Sequence, residues 1–105
     1  MYIVTRADII PGYQAVQGIH AAIQFATEYP EINKEWFEKS NYLGFLSVNN
    51  ELELFKLIEN ASKQNIKFSI FREPDINNQI TAIALAPGSS TKKLCNKIPL
   101  ALKLG

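Results

Sequence analysis

The sequence predicts an α/β fold: a three-layer sandwich in which a single mixed sheet of about four strands carries helices on both faces. Three observations lead there. Strand-like stretches alternate with stretches whose apolar residues recur at spacings of three and four, in the order β-α-(α)-β-α-β-β-α. The link between the third and fourth strands, roughly eight residues, is shorter than the dozen or more a parallel crossover needs, so that pair is expected to be antiparallel. A chain of 105 residues, 47% hydrophobic and 20% charged, has the size and composition of one domain, spanning residues 1–105.

Residues 1–7 (Met-Tyr-Ile-Val-Thr-Arg-Ala) are rich in β-branched and aromatic side chains and read as a buried strand. Asp8 to Gly12 is a turn broken by Pro11-Gly12. From Tyr13 to about Glu28, Val16, Ile19, Ile23 and Ala26 line one helical face, and Ala15, Ala21 and Ala22 favour the helix. Pro30 ends it, because proline disfavours helical geometry in the residue before it. Residues 31–39, charged around Trp36 and Phe37, form a short helix or an ordered loop, and residues 42–48 a second strand.

Asn49-Asn50 turns the chain and caps a helix over residues 52–64, with Leu54, Leu57, Ile58 and Ala61 on one face. Residues 66–72 alternate as a third strand with one more polar face, residues 73–78 form a loop, and residues 80–86 an apolar fourth strand. Pro87-Gly88 turns the chain, and Ser89 or Ser90 caps a last helix running to about Ile98. After Pro99, the alternation of Leu100, Leu102 and Leu104 suggests a terminal extended segment or strand.

Composition excludes several functional classes. No apolar run approaches the roughly 18 residues that span a bilayer, and residues 1–4 show no secretory signal, so no membrane association is expected. The single cysteine, Cys95, cannot form an intrachain disulfide, and the expected compartment is the cytoplasm. Neither cofactor nor metal is expected: there is no Gly-Lys-Ser/Thr phosphate loop, and His20 and Cys95 alone cannot close a zinc site. No Gly-x-Ser-x-Gly elbow appears. The formal charge of +1 is split: residues 1–75 hold all ten acids against seven bases, and residues 76–105 hold four lysines, Lys92, Lys93, Lys97 and Lys103, and no acid. Such asymmetry marks a nucleic-acid contact or simply a solvated helix face.

The chemistry-bearing candidates are few. His20, with Gln17 and Gln24 about one turn to either side, forms a polar stripe on an otherwise Ala/Ile-rich helix; it serves as a base near neutral pH or as a structural residue. Arg72-Glu73-Pro74 closes a strand, where open α/β sheets keep their ligand sites; its carboxylate is an acid, a base or a surface partner of Arg72. The Pro11-Gly12 turn leads into a helix whose first amides attract anions.

Taken in order, these segments resemble the type-2 peptidyl-tRNA hydrolases. In that family a Gly-Lys pair precedes a Gln-x-x-His-Ala core on the first helix; here Gly12-Tyr13 precedes Gln17-Gly18-Ile19-His20-Ala21. Arg6-Ala7-Asp8 is similar to the family's Arg-x-Asp, and Phe71-Arg72-Glu73 to its Ile-Arg-Asp. Gln79-Ile80-Thr81 and the strand to Pro87 resemble its Thr-x-x-Gly-x-Gly-Pro segment, and residues 100–104 its Leu-Lys-Leu ending. Tyr13 stands where the family keeps a lysine, Glu73 where it keeps an aspartate, the loop after Glu73 is shorter, and Asn78 takes the place of that loop's threonine. These departures resemble a divergent branch that also lacks the lysine.

The resemblance implies hydrolysis of the ester between a peptide and the 3′ ribose of tRNA, by a homodimer. It assigns Glu73 or His20 to activating or orienting water, Tyr13 and Asn78 to the oxyanion or the ribose, and Thr81 to positioning its neighbours. Gly12, Gln17, Arg72, Lys92 and Lys93 are the expected substrate-binding residues, the cations for tRNA phosphates. The alternative is the same fold without catalysis, an RNA- or protein-binding module. Tyr29, Trp36 and Phe37 are candidates for the dimer surface or for covering the sheet.

Overall fold

A computed structural model of the chain describes residues 1–103, so Leu104 of the expected terminal segment lies outside the described residues. The elements are β1 (Tyr2–Arg6), α1 (Pro11–Glu28), α2 (Pro30–Glu38), β2 (Gly44–Val48), α3 (Glu51–Lys63), β3 (Phe68–Glu73), a 3-10 turn (Pro74–Ile76), β4 (Gln79–Leu85) and α4 (Ser89–Leu94). The four strands form one mixed sheet in the order β2-β1-β4-β3. β1 and β2 run parallel, and β4 is antiparallel to both β1 and β3, as the short β3–β4 link requires.

Alternation sorts the side chains onto two faces. Tyr2, Val4, Leu46, Ile83 and Leu85 point to one side, where Leu54, Leu57 and Ala61 of α3 and Cys95 after α4 complete a core. Ile3, Ala82 and Ala84 point to the other and meet Ala21 and Phe25 of α1, with Tyr29, Ile32 and Trp36 packed alongside. Tyr29 and Trp36 therefore cover the sheet, whereas Phe37 is 65% exposed. Gly18 lets α1 sit close on this face: a Cβ there would lie 2.7 Å from the Phe45 ring.

Element boundaries shift for identifiable reasons. α1 begins two residues earlier than its apolar pattern, because proline is well placed in the first helical turn. The charged segment is helical over Pro30–Glu38, again with proline at the entrance, and Lys39 caps its end. Ile66 is not in the strand. It is the closing residue of a Schellman motif, in which Asn65 takes φ +57°, the Asn65 amide donates to Ser62 O and the Ile66 amide to Ala61 O, while the Ile66 side chain seals the core beside Ala61. β2 starts at Gly44, whose amide makes the first bond to Met1 O. Gly88, at φ +139°, precedes α4 in place of a serine side-chain cap, and α4 stops at Leu94 because the chain then tightens into the Ile98-to-Cys95 turn ahead of Pro99. Leu100 forms an isolated antiparallel bridge to Leu46, flanked by Ser47 N–H to Pro99 O and Ala101 N–H to Phe45 O, which covers the outer edge of β2.

Burial pushes the Cys95 thiol up to about 11. Ellman's reagent is expected to leave the native protein unmodified near pH 8 and to titrate one thiol once the chain is unfolded; rapid reaction of the native state would contradict this packing.

Candidate active site

The C-terminal ends of β1 and β3, the start of β4 and the first half of α1 converge at one end of the sheet. Convergence depends on a bulge. Pairing between β3 and β4 steps from Phe71–Ala82 to Arg72–Ile80 and skips Thr81. The extra residue breaks the alternation, so that Thr81 and Ala82 both face α1 while Ile80 and Ile83 face α3. Glu51 of α3 takes the Ile80 amide at 2.8 Å.

A hydrogen-bonded chain results. Thr5 Oγ1 donates to the Thr81 carbonyl at 3.0 Å, and Thr81 Oγ1 donates to Gln17 Oε1 at 2.6 Å. The Gln17 amide is thereby oriented, and its Nε2 donates to Glu73 Oε1 at 3.2 Å. Tyr13, one turn before Gln17 on the same helix face, donates its hydroxyl to the same oxygen at 3.1 Å. Glu73 Oε2 accepts no protein donor among the described residues, and the Glu73 side chain is half-buried. One carboxylate oxygen is thus anchored by neutral donors, while no described residue donates to the other. Hydrogen bonding to Glu73, and the charge of that carboxylate, push the Tyr13 phenol above its ordinary pKa. It remains a protonated donor through the neutral range.

A second network frames the first. The Arg6 side chain, 9% exposed, donates Nε and Nη2 to the two Asp8 oxygens at 2.8 Å each. Its Nη1 reaches Gln79 Oε1 at 2.8 Å and the Ile80 carbonyl at 3.2 Å. One guanidinium therefore ties the end of β1 and the entry to α1 to the first residues of β4. The hydrogen bond from Arg6, with its charge, holds the Asp8 carboxyl below the usual carboxylate range. Because the folded pKa is the lower one, this stabilisation is present above the unfolded value of about 3.9 and is lost as pH falls through the folded value. The stability gap between wild type and Asp8→Asn, measured by urea unfolding, is expected to be open near neutral pH and to close in strong acid. A gap that persists there would rule out the ion pair as its source.

The expected site residues are distributed as follows. Tyr13, Gln17, Glu73 and Thr81 come together. Gln17 and Thr81 are 1% and 0% exposed, so they position Glu73; Gln17, expected to bind substrate, has no surface with which to do so. Gly12 is exposed in the first turn of α1, where Pro11 has no N–H and Gln14 N–H closes on Ile10 O; the open amides are those of Gly12 and Tyr13. Asn78 is exposed at φ +57°, with its amide bonded to Glu73 O and its carbonyl to Arg72 Nη1 at 3.2 Å. Arg72 thus braces the loop, and among the described residues no cation pairs with the Glu73 carboxylate.

His20 is one turn beyond Gln17, exposed, and makes no hydrogen bond to Glu73; its ring lies flat on Phe71, centroids 4.5 Å apart and planes 5° apart. Lys92 and Lys93 are on α4, beyond the far end of β4, a strand about 20 Å long, and do not join the cluster. Among the described residues no group of three or more His, Cys, Asp or Glu side chains could hold a metal ion. The sequence marked Arg6-Ala7-Asp8 and Phe71-Arg72-Glu73 as motifs but gave Arg6 and Phe71 no part in the site; the Arg6 staple and the Phe71 backing of His20 come from the structure. Their signals were present: an Arg-x-Asp pair at a strand end, and Phe71 two residues before Glu73 on the same face.

A family model described as peptidyl-tRNA hydrolase PTH2 matches residues 1–104. The chain is also similar to a curated peptidyl-tRNA hydrolase of Thermococcus sibiricus, 32% identical over 111 residues that cover 96% of this chain and 92% of the relative.

Proposed function

Because the chain belongs to the peptidyl-tRNA hydrolase PTH2 family, we propose that it cleaves the ester joining a peptide to the 3′ ribose of tRNA, using a site modified at the entrance to α1. The observation that carries this reading is the Glu73 carboxylate, held at one oxygen by Tyr13 and Gln17 and accepting from no described residue at the other. In the proposed reaction Glu73 takes a proton from water as the water oxygen attacks the ester carbonyl. The tetrahedral intermediate collapses as Glu73 returns that proton to the departing ribose oxygen, and the peptide is released as its acid. Tyr13, the amides of Gly12 and Tyr13, and Asn78 are the donors for the oxyanion or the ribose. Thr81 and Gln17 keep Glu73 aimed, and Arg72 meets phosphate at the rim. Lys92 and Lys93 would serve only a distant part of a large RNA.

Tyr13 in the family's lysine position supports placement with the divergent branch. It also favours the second reading, a binding module without catalysis, because a neutral phenol supplies no positive charge. A release assay on N-blocked aminoacyl-tRNA separates the two. Catalytic release of tRNA is expected, decreased in Tyr13→Phe and retained or raised in Tyr13→Lys. No release at high enzyme concentration, with tRNA still bound, would establish the second reading. Cytoplasmic location is proposed with the substrate; among the described residues no helix is long and apolar enough to cross a membrane. The proposed homodimer draws support from an apolar surface on α1 and beside β2, where Ile19, Leu43 and Leu102 are 58%, 56% and 43% exposed around a groove floored by Gly18 and Phe45.

A further inference from the structure

Resting on the reading above, we propose that the outward face of His20, backed by Phe71, is the stacking platform for the terminal nucleobase of the tRNA 3′ end. The pair is built as a platform. Phe71 packs against the α1-side core, which fixes its ring, and the imidazole lies parallel to it at 4.5 Å and 5°. One imidazole face is occupied by Phe71; the side chain is otherwise exposed. Single-stranded RNA is held by such surfaces, because every base has a π-face and stacking requires no base-specific hydrogen bonds.

Position selects the terminal base. His20 follows Gln17 by three residues, about 4.5 Å along the helix, and Phe71 precedes Glu73 by two residues on the same strand face, about 7 Å away. A single nucleotide spans that interval between its base and its ribose hydroxyls. A base on His20 therefore sets the esterified oxygen next to Glu73. In this proposal His20 stacks rather than transferring a proton; it makes no hydrogen bond to Glu73, and its ring lies parallel to Phe71.

The chain has one histidine, so its ring protons report directly on the platform. The probes are the oligoribonucleotide 5′-CCA-3′ and the same oligomer with an abasic 3′ residue, titrated into the intact protein and followed by NMR. Wild type is expected to bind the first about 5- to 150-fold more tightly, with ring-current shifts at His20. His20→Ala should abolish the preference and His20→Phe should keep it. On N-blocked aminoacyl-tRNA, His20→Ala should raise KM with little change in kcat. The proposal falls if wild type shows no preference, or no binding of 5′-CCA-3′ at millimolar concentration. It also falls if His20→Ala keeps the preference, or if His20→Phe loses as much as His20→Ala. Hydrolysis by wild type without a terminal-base preference overturns the platform alone. Preference for the terminal base without hydrolysis overturns the hydrolase reading and leaves the platform standing.

Discussion

Replacing Glu73 by Gln is expected to lower the rate of tRNA release from N-blocked aminoacyl-tRNA by about 10²–10⁴-fold with little effect on folding. The substitution isolates the proton-accepting role. A glutamine carbonyl oxygen can still accept from Tyr13 Oη and Gln17 Nε2, now 3.1 and 3.2 Å from Glu73 Oε1. What is lost is the charged oxygen that accepts from no protein donor among the described residues, the one that takes a proton from water in the proposed reaction. Thermal unfolding of the variant, measured alongside, should match wild type. Unchanged release by Glu73→Gln would exclude the carboxylate as the base. Loss of release together with a large drop in Tm would mean that Glu73 acts through structure.

The second large effect is on stability. Arg6→Met should destabilise the fold by about 2–4 kcal/mol, lowering Tm by about 10 °C or more. The methionine fills much of the same volume but leaves Asp8, Gln79 Oε1 and the Ile80 carbonyl without their donor. Asp8 is 38% exposed and can recover water, which keeps the expected cost below that of breaking a fully buried pair. Adding Asp8→Asn to Arg6→Met should then cost little more, because the two residues act as a unit. Simple addition of the two single effects in chemical denaturation would show that Arg6 works mainly by packing. Because Arg6 grips the first residues of β4 beside the bulge, the variant should also loosen Thr81, and hydrolysis should fall with stability.

Local pattern carried much of this molecule. The buried face of α3 followed from apolar spacing, the antiparallel β3–β4 pair from a short link, and the end of α1 from Pro30. But α1 buries Gln14, Gln17, Gly18, Ala21 and Phe25 and leaves Val16, Ile19 and Ile23, the face its apolar spacing picked out, 48%, 58% and 60% exposed. Ile66 shows the limit: an alternating apolar residue looks like strand, but a Schellman closure needs the same hydrophobic side chain for a different purpose. The site was partly legible. Glu73 at a strand end and Gln17 and His20 on one helix stripe were visible in the sequence. That Gln17 is buried and aims at Glu73, or that His20 rests on Phe71, was not, because neither contact is local.

The sequence by itself determined the order of elements and the buried face of α3. Only the tertiary structure decided which donors reach Glu73, and that Lys92 and Lys93 lie at the far end of the sheet. The physical reason is register. Helical and strand periodicities are properties of neighbours along the chain, whereas bringing residues 13, 17, 73 and 81 together depends on strand order and on one unpaired residue in β4. A single-residue change in that pairing turns Thr81 away from Gln17, and no local pattern records it.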